Sequence, residues 1–332
     1  MGEALRTDRV SESYRSLHIR RPVWLHWFAL LTAGATLVLI LVGGLVTSTG
    51  AGLAVPDWPT TFGYNMFLFP WSKMVGGVLV EHSHRLIGAG VGLLTLTLAV
   101  WLWVTEPRGW IRWLAVIACV SVVVQGVLGG LRVVLLEQTL AIVHAALAQA
   151  FFALVVSLAF FTSREGREAP QKVQAAGGGR VRHLSLLTTG IIYLELIIGA
   201  VLRHTGVGVA AHLLLAGVVS IQVCFLAVLI LKGYGDQPRL VRPVALLGGL
   251  LIVQLVLGLG SYLGKFTTLG MAFHPLTLVE LTTAHVATGA LMLATCLVLT
   301  LRVYRLLPSR SPVGARQFVP APPAGRSEEA PA

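Results

Sequence analysis

Eight stretches of the chain, residues 24–46, 79–104, 112–132, 139–162, 184–202, 208–231, 243–263 and 278–304, are predominantly apolar. Each is close to the ~20 residues of helix that cross a bilayer. Hydrocarbon offers no water to pair with backbone N–H and C=O groups, so each stretch must satisfy its own, and a helix does so. This feature predicts an all-α fold, a polytopic membrane protein with eight transmembrane helices. Composition agrees, since only 12% of the 332 residues are charged and the mean hydropathy is +0.80. A soluble domain carries about 25% charged residues.

The net charge of +11 would suit nucleic acid, but its distribution points elsewhere. An even number of spans puts both termini on one side. Lys73, Arg85, Arg132, Arg203 and Lys265 fall on the other side, and the remaining twenty of the 25 lysines and arginines share the side of the termini. This positive-inside bias predicts cytoplasmic termini in a bacterial-type plasma membrane, with lipid rather than nucleic acid against the surface. The first apolar run, Trp24 to Val46, exceeds the roughly 7–15 residues of a signal-peptide core, so it is expected to remain as a span. Trp24 and Trp27 at its edge fit an aromatic belt. Cys119, Cys224 and Cys296 lie inside apolar segments and read as small buried hydrophobes.

A polar, Gly-rich connection, "SREGREAPQKVQAAGGGRVRH", separates spans four and five. The expected organisation is an N-terminal segment (1–23), a four-helix half (24–163), a linker (164–183), a second four-helix half (184–305) and a disordered Pro/Ala-rich tail (306–332). The halves resemble each other. "GGLVTSTGAG" (43–52) pairs with "GAVLRHTGVG" (199–208), and "QGVLGG" (125–130) with "QLVLGL" (254–259). A repeat of four spans keeps both copies in one orientation, so two tandem four-helix bundles related by a parallel pseudo-twofold axis are expected. The shared glycines are explained by close helix packing alone.

Four of the ten histidines occupy repeat-matched places. His84 opens span two, His144 span four, His212 span six and His285 span eight. Each is expected one to two turns inside the face opposite the termini. A single histidine of this kind is usually a hydrogen-bonded packing residue. Four at matched positions reverse that reading, because haem iron takes axial imidazoles and four-helix bundles hold cofactors on facing helices. Zinc fits less well, since its sites gather three or four protein ligands. Arg85, Arg132, Arg203 and Lys265 near the same ends are candidate partners for propionates.

Glu81 stands three residues before His84, on the same helical face. Its repeat counterpart is Val209, so the sequence suggests a carboxylate beside the histidine pair in the N-terminal half only. The competing reading is an interface ion pair with Arg85 or Lys73. His82 lies about 200° around the helix from His84 and cannot share its site. Asp57 in "VPDWP" reads as a turn or capping residue. Glu195, midway along span five, is costly at that depth and has no role legible in the sequence.

At these residues the chain resembles the haem A synthase family. The resemblance covers about 24–304 and rests on "GGLVTSTGAGLAVPDWP" (43–59), Glu81-x-x-His84-Arg85, "QGVLGGLRV" (125–133) with His144, and the paired His212 and His285. It implies a b-type haem held by His212 and His285. It implies haem O as substrate at His84 and His144, with Glu81 catalytic and one porphyrin methyl oxidised by successive hydroxylations to a formyl group. The expected partners are a haem O synthase that delivers substrate and an unidentified electron donor, with a homo-oligomer left open. Some members carry a cysteine pair in the first outer loop, whereas residues 47–80 here contain none. A non-catalytic dihaem b-type cytochrome explains the histidines but not Glu81. A parallel-repeat transporter explains the repeat but not histidines displaced from the midplane. The Asp-rich motifs expected of a haem O synthase are absent from the sequence.

Overall fold

The protein is described here by a computed structural model covering residues 23–170, 173 and 177–308. His18, the rest of the N-terminal segment and the tail beyond residue 308 lie outside the described residues.

Eight long helices follow one another: α1 (Val23–Ser48), α2 (Gly76–Thr105), α3 (Gly109–Val134), α4 (Gln138–Thr162), α5 (Gly178–Thr205), α6 (Val209–Gly233), α7 (Pro238–Phe266) and α8 (Pro275–Leu306). All eight are long and apolar enough to cross a membrane, and among the described residues no strand is present. Each helix contains nearly all of its expected apolar run, and most extend it by a turn or less. The additions are polar or glycine-rich turns such as Gly178–His183, where the backbone leaves hydrocarbon but gains by continuing its hydrogen bonds.

Packing follows a simple plan. Helix α1 contacts α2 and α4, and α3 contacts α2 and α4, so the first four helices form a square with α2 and α4 on one diagonal. Helices α5 to α8 form a second square with α6 and α8 on a diagonal. The squares meet through α1, α4, α5 and α8. Helix α8 is the most enclosed, with 56% of its apolar window buried against 17–39% for the others. Large side chains such as Leu93, Ile221 and Val256 point outward, as suits a surface whose solvent is lipid. Cys224 is among the exposed residues, which corrects the expectation that all three cysteines are buried. In lipid an apolar thiol gains little from facing inward.

Polar ties fasten the squares together. Arg203 of α5 donates to Gly44 O (2.7 Å) and Ser48 Oγ (2.6 Å) on α1 and to Thr282 O (3.3 Å) on α8. Ser48 also bonds Thr282 and Thr283. At the opposite end Arg302 of α8 pairs with Glu165, next to α4, at 2.9 Å. Arg302 also donates to Arg239 O at 3.3 Å. Pro243 lies within α7 and lacks the N–H that would otherwise bond that carbonyl four residues back.

The connection between α1 and α2 is the longest loop, with three 3₁₀ turns and a bridge between Thr61 and Tyr64. Asp57 organises it. Its carboxylate accepts from Phe62 N (2.7 Å), Gly63 N (2.9 Å) and the Thr60 hydroxyl, the capping role expected of an aspartate in a turn.

Candidate functional site

The four matched histidines lie on the diagonal helices: His84 on α2, His144 on α4, His212 on α6 and His285 on α8. They are the ninth, seventh, fourth and eleventh residues of their helices. At ~1.5 Å per residue, His285 is therefore closer to three turns deep than two, because α8 starts three residues before its apolar run.

Each imidazole rests on a glycine of the preceding helix. A Cβ built on Gly43 would stand 3.0 Å from Cε1 of His84. The equivalent distances are 3.2 Å from Gly129 to His144, 3.3 Å from Gly199 to His212, and 3.0 Å from Gly258 to His285. These four glycines, one on each odd-numbered helix, let a ring lie where even a methyl group would force it to shift by a few tenths of an ångström. The remaining shared glycines do other work. Gly50 (φ 70°) and Gly206 (φ 73°) adopt the left-handed conformation that ends α1 and α5. Close packing alone therefore does not account for the shared glycines, as the sequence had suggested.

In the C-terminal square the rings of His212 and His285 stand 6.1 Å apart, centre to centre, at 78° to each other. In the N-terminal square His84 and His144 are carried by the diagonal helices α2 and α4 and rest on Gly43 and Gly129. The Nδ1 atoms of His84, His144, His212 and His285 are buried without hydrogen-bond partners, and such burial is unfavourable unless a partner is supplied. Two glutamines add to the polar interior. Gln125 donates to His144 O at 3.2 Å, while the side-chain nitrogen of Gln254 lies 3.3 Å from Nε2 of His285.

Of the two sequence readings of Glu81, the ion pair with Arg85 is present, and a second carboxylate stands in the other half. Glu81 is only 3% exposed. Its Oε2 accepts from Val55 N at 2.9 Å and its Oε1 pairs with Arg85 at 2.9 Å. Glu195 Oε1, in the other half, lies 2.9 Å from Nδ1 of His212. The contact has ion-pair distance but not the alignment of a hydrogen bond, so Nδ1 remains without one. Both halves therefore carry a carboxylate near their histidines, which corrects the expectation of an acid in the N-terminal half only. The two acids come from different helices, α2 and α5. A register comparison of α2 with α6 could not reveal the second.

The arginines hold backbone. Arg85 donates to the carbonyls of Asp57 (2.7 Å), Thr60 (3.2 Å) and Val55 (2.9 Å). Arg132 donates to Gly52 O at 2.8 Å. With Arg203 on Gly44 and Thr282, all three sit at the histidine-bearing ends of the squares. His82 faces away from the site, as expected, bonding Thr61 at 3.2 Å and packing on Phe69. Trp58 lies against Gly130, closing the loop over α3. Among the remaining histidines, His26 bonds Ala159 O and His274 caps α8. A groove of about 330 Å³ between α7 and α8 is lined by Arg242, Pro243, Leu246, Thr295 and Arg302, with none of the histidines, and lies away from this chemistry.

Fold and site together define a class: an eight-helix integral membrane protein with two partly buried imidazoles on the diagonal helices of each four-helix square. The chain matches the family described as COX15-CtaA, cytochrome oxidase assembly protein, over residues 26–214. That is more than half its length, and the chain belongs to this family. It is similar to the heme A synthase of Shouchella clausii (strain KSM-K16), with 31% identity over 54% of this chain and 59% of that protein. It is also similar to the heme A synthase of Geobacillus kaustophilus (strain HTA426), with 30% identity over 56% and 58% respectively. The heme A synthase of Lysinibacillus sphaericus (strain C3-41) is 30% identical over 55% and 59%. The chain thus spans somewhat less than three-fifths of the length of these curated relatives.

Proposed function

We propose that this protein is a haem A synthase, oxidising one methyl of haem O to a formyl group by successive hydroxylations, and that its product supplies a cytochrome oxidase. The observation that carries the reading is the placing of two partly buried imidazoles on the diagonal helices of each square, every ring seated on a glycine. The 6.1 Å between His212 and His285 fits one metal held between them, since two metal–imidazole bonds of ~2 Å each plus half of each ring fill that span. A b-type haem there would supply one-electron chemistry. The N-terminal half, 24–163, takes the substrate at His84 and His144, and the C-terminal half, 184–305, holds the resident haem. Residues 163–177, between α4 and α5, join them on the cytoplasmic side. The pairing of helices in one square and in the other supports a parallel pseudo-twofold relation between the halves.

The protein's own groups divide the work. Glu81, fixed by Val55 N–H and Arg85, places a buried carboxylate one helical turn from His84. It offers an acceptor for protons released as the methyl is oxidised and a fixed negative charge opposite developing positive charge. Arg85, Arg132 and Arg203 line the end where propionates would lie. Arg132, with one protein hydrogen bond among five donors, has the most capacity left for an anion. The loop held by Asp57, Trp58 and Arg85 screens the N-terminal pair from water. Both termini are placed in the cytoplasm by the positive-inside bias, which sets the histidines toward the outer leaflet. Haem O arrives from a haem O synthase and electrons from a separate donor.

The test is coexpression with a source of haem O, followed by extraction and chromatography of the haems. Formyl-bearing product is expected, and unchanged haem O would favour the dihaem cytochrome. His212→Ala and His285→Ala are expected to lose b-type haem from the purified protein. Glu81→Ala is expected to keep that haem and form no haem A. Full conversion by this variant would reduce Glu81 to a structural ion pair.

A further inference from the structure

We propose that Glu195 is a positioning residue for His212, giving the C-terminal imidazole pair one anionically supported ligand and so setting the potential of the haem it holds. The inference rests on the haem b reading above. Glu195 is the eighteenth of the 28 residues of α5, at a depth where an ionised carboxylate is costly unless it has a partner. Its partner is Nδ1 of His212 at 2.9 Å, and both side chains are less than one-fifth exposed. No lysine or arginine pairs with it among the described residues. Its second oxygen, Oε2, is buried without a partner, so nothing else in the surroundings accounts for the charge.

Helix α5 builds the arrangement from one face. Glu195 and Gly199 are four residues apart and therefore adjacent. The first meets Nδ1 of the imidazole, and the second leaves the gap that its Cε1 fills. The remaining nitrogen, Nε2, is left for a metal. Metal binding through Nε2 would leave the imidazole proton on Nδ1, facing Glu195 Oε1 across 2.9 Å, and a ligand whose second nitrogen meets a carboxylate in this way is held in that tautomer and becomes a stronger donor. A stronger donor favours the oxidised metal, so the potential falls.

The other three rings lack this support. His285 has the neutral amide of Gln254 nearby, and the position matched to Glu195 in the first half is Leu39. The N-terminal imidazoles therefore have no carboxylate from their first helix. One pair is braced as a fixed electron carrier, while the other is left free to exchange a substrate for a product.

The experiment compares the purified holoprotein with Glu195→Gln and Glu195→Leu by haem content, equilibrium redox titration and haem transfer to apomyoglobin. Glu195→Gln is expected to keep its haem with a midpoint potential shifted to more positive values. Glu195→Leu is expected to shift the same way and to lose haem ~10-fold faster. Unchanged potential and unchanged loss rate in both variants would overturn the positioning role while leaving the haem site intact. Protein that contains no haem, or whose haem survives His212→Ala, would instead overturn the underlying reading and this inference with it.

Discussion

At the scale of single residues, Asp57 shows how one side chain sets the order of a loop. Burial raises its pKa, but hydrogen bonds from Gly63, Thr60 and Phe62 outweigh that and lower it from 3.8 to about 2. A group whose folded pKa is depressed stabilises the fold above its unfolded pKa and loses that contribution as pH falls through the folded one. The loop is therefore expected to open between about pH 4 and pH 2, seen as faster hydrogen exchange at Phe62 and Gly63. Asp57→Asn should expose the same amides at neutral pH and flatten the dependence. Sequence reading reached the type of role from Asp57 between proline and tryptophan, but not its partners, which lie up to six residues further on in an irregular turn. Arg85 and Arg132 show the same limit. Their position near the histidines was legible, while the carbonyls they hold belong to a loop whose path no periodicity describes.

Among elements, the decisive contact is between a glycine on one helix and an imidazole on the next. Glycines in transmembrane helices usually read as places where two backbones approach, and here four of them admit a ring instead. The added Cβ would be tightest at Gly43 and Gly258, looser at Gly199, and unopposed at Gly248. Alanine is thus expected to destabilise the protein by about 1–3 kcal/mol at Gly43 or Gly258 through overpacking. At Gly199 the loss should be smaller. At Gly248 alanine should be neutral or stabilising by up to about 1 kcal/mol, since glycine is a poor helix former. Thermal unfolding in one detergent orders the four variants, and a loss at Gly248 equal to that at Gly258 would refute the cradle. Helix existence was readable from apolar length, but which helix faces which was not, because lipid-facing and core-facing positions are both apolar.

The whole molecule is two squares joined along α1, α4, α5 and α8, and its integrity depends on contacts between segments far apart in the chain. Ser48 Oγ and Thr282 Oγ1 are 2.8 Å apart across that junction. The double variant Ser48→Cys, Thr282→Cys is expected to form a disulfide on mild oxidation. Cleavage between α4 and α5 should then leave two fragments that separate only after reduction. Free separation without reductant would mean that the halves do not meet as described. No local pattern in the sequence indicates which helices meet across that junction.

By itself the sequence determined the eight helices and the four histidines at corresponding places in them. These depend on the local need of each backbone group for a partner in hydrocarbon and on hydropathy summed over one segment. Tertiary structure alone decided that Glu195 reaches His212, that the Val55 N–H meets Glu81, and that glycines open to imidazoles. Those outcomes depend on distances between segments remote in the chain, and in an apolar solvent the hydrophobic pattern that orients helices in water carries almost no information about them.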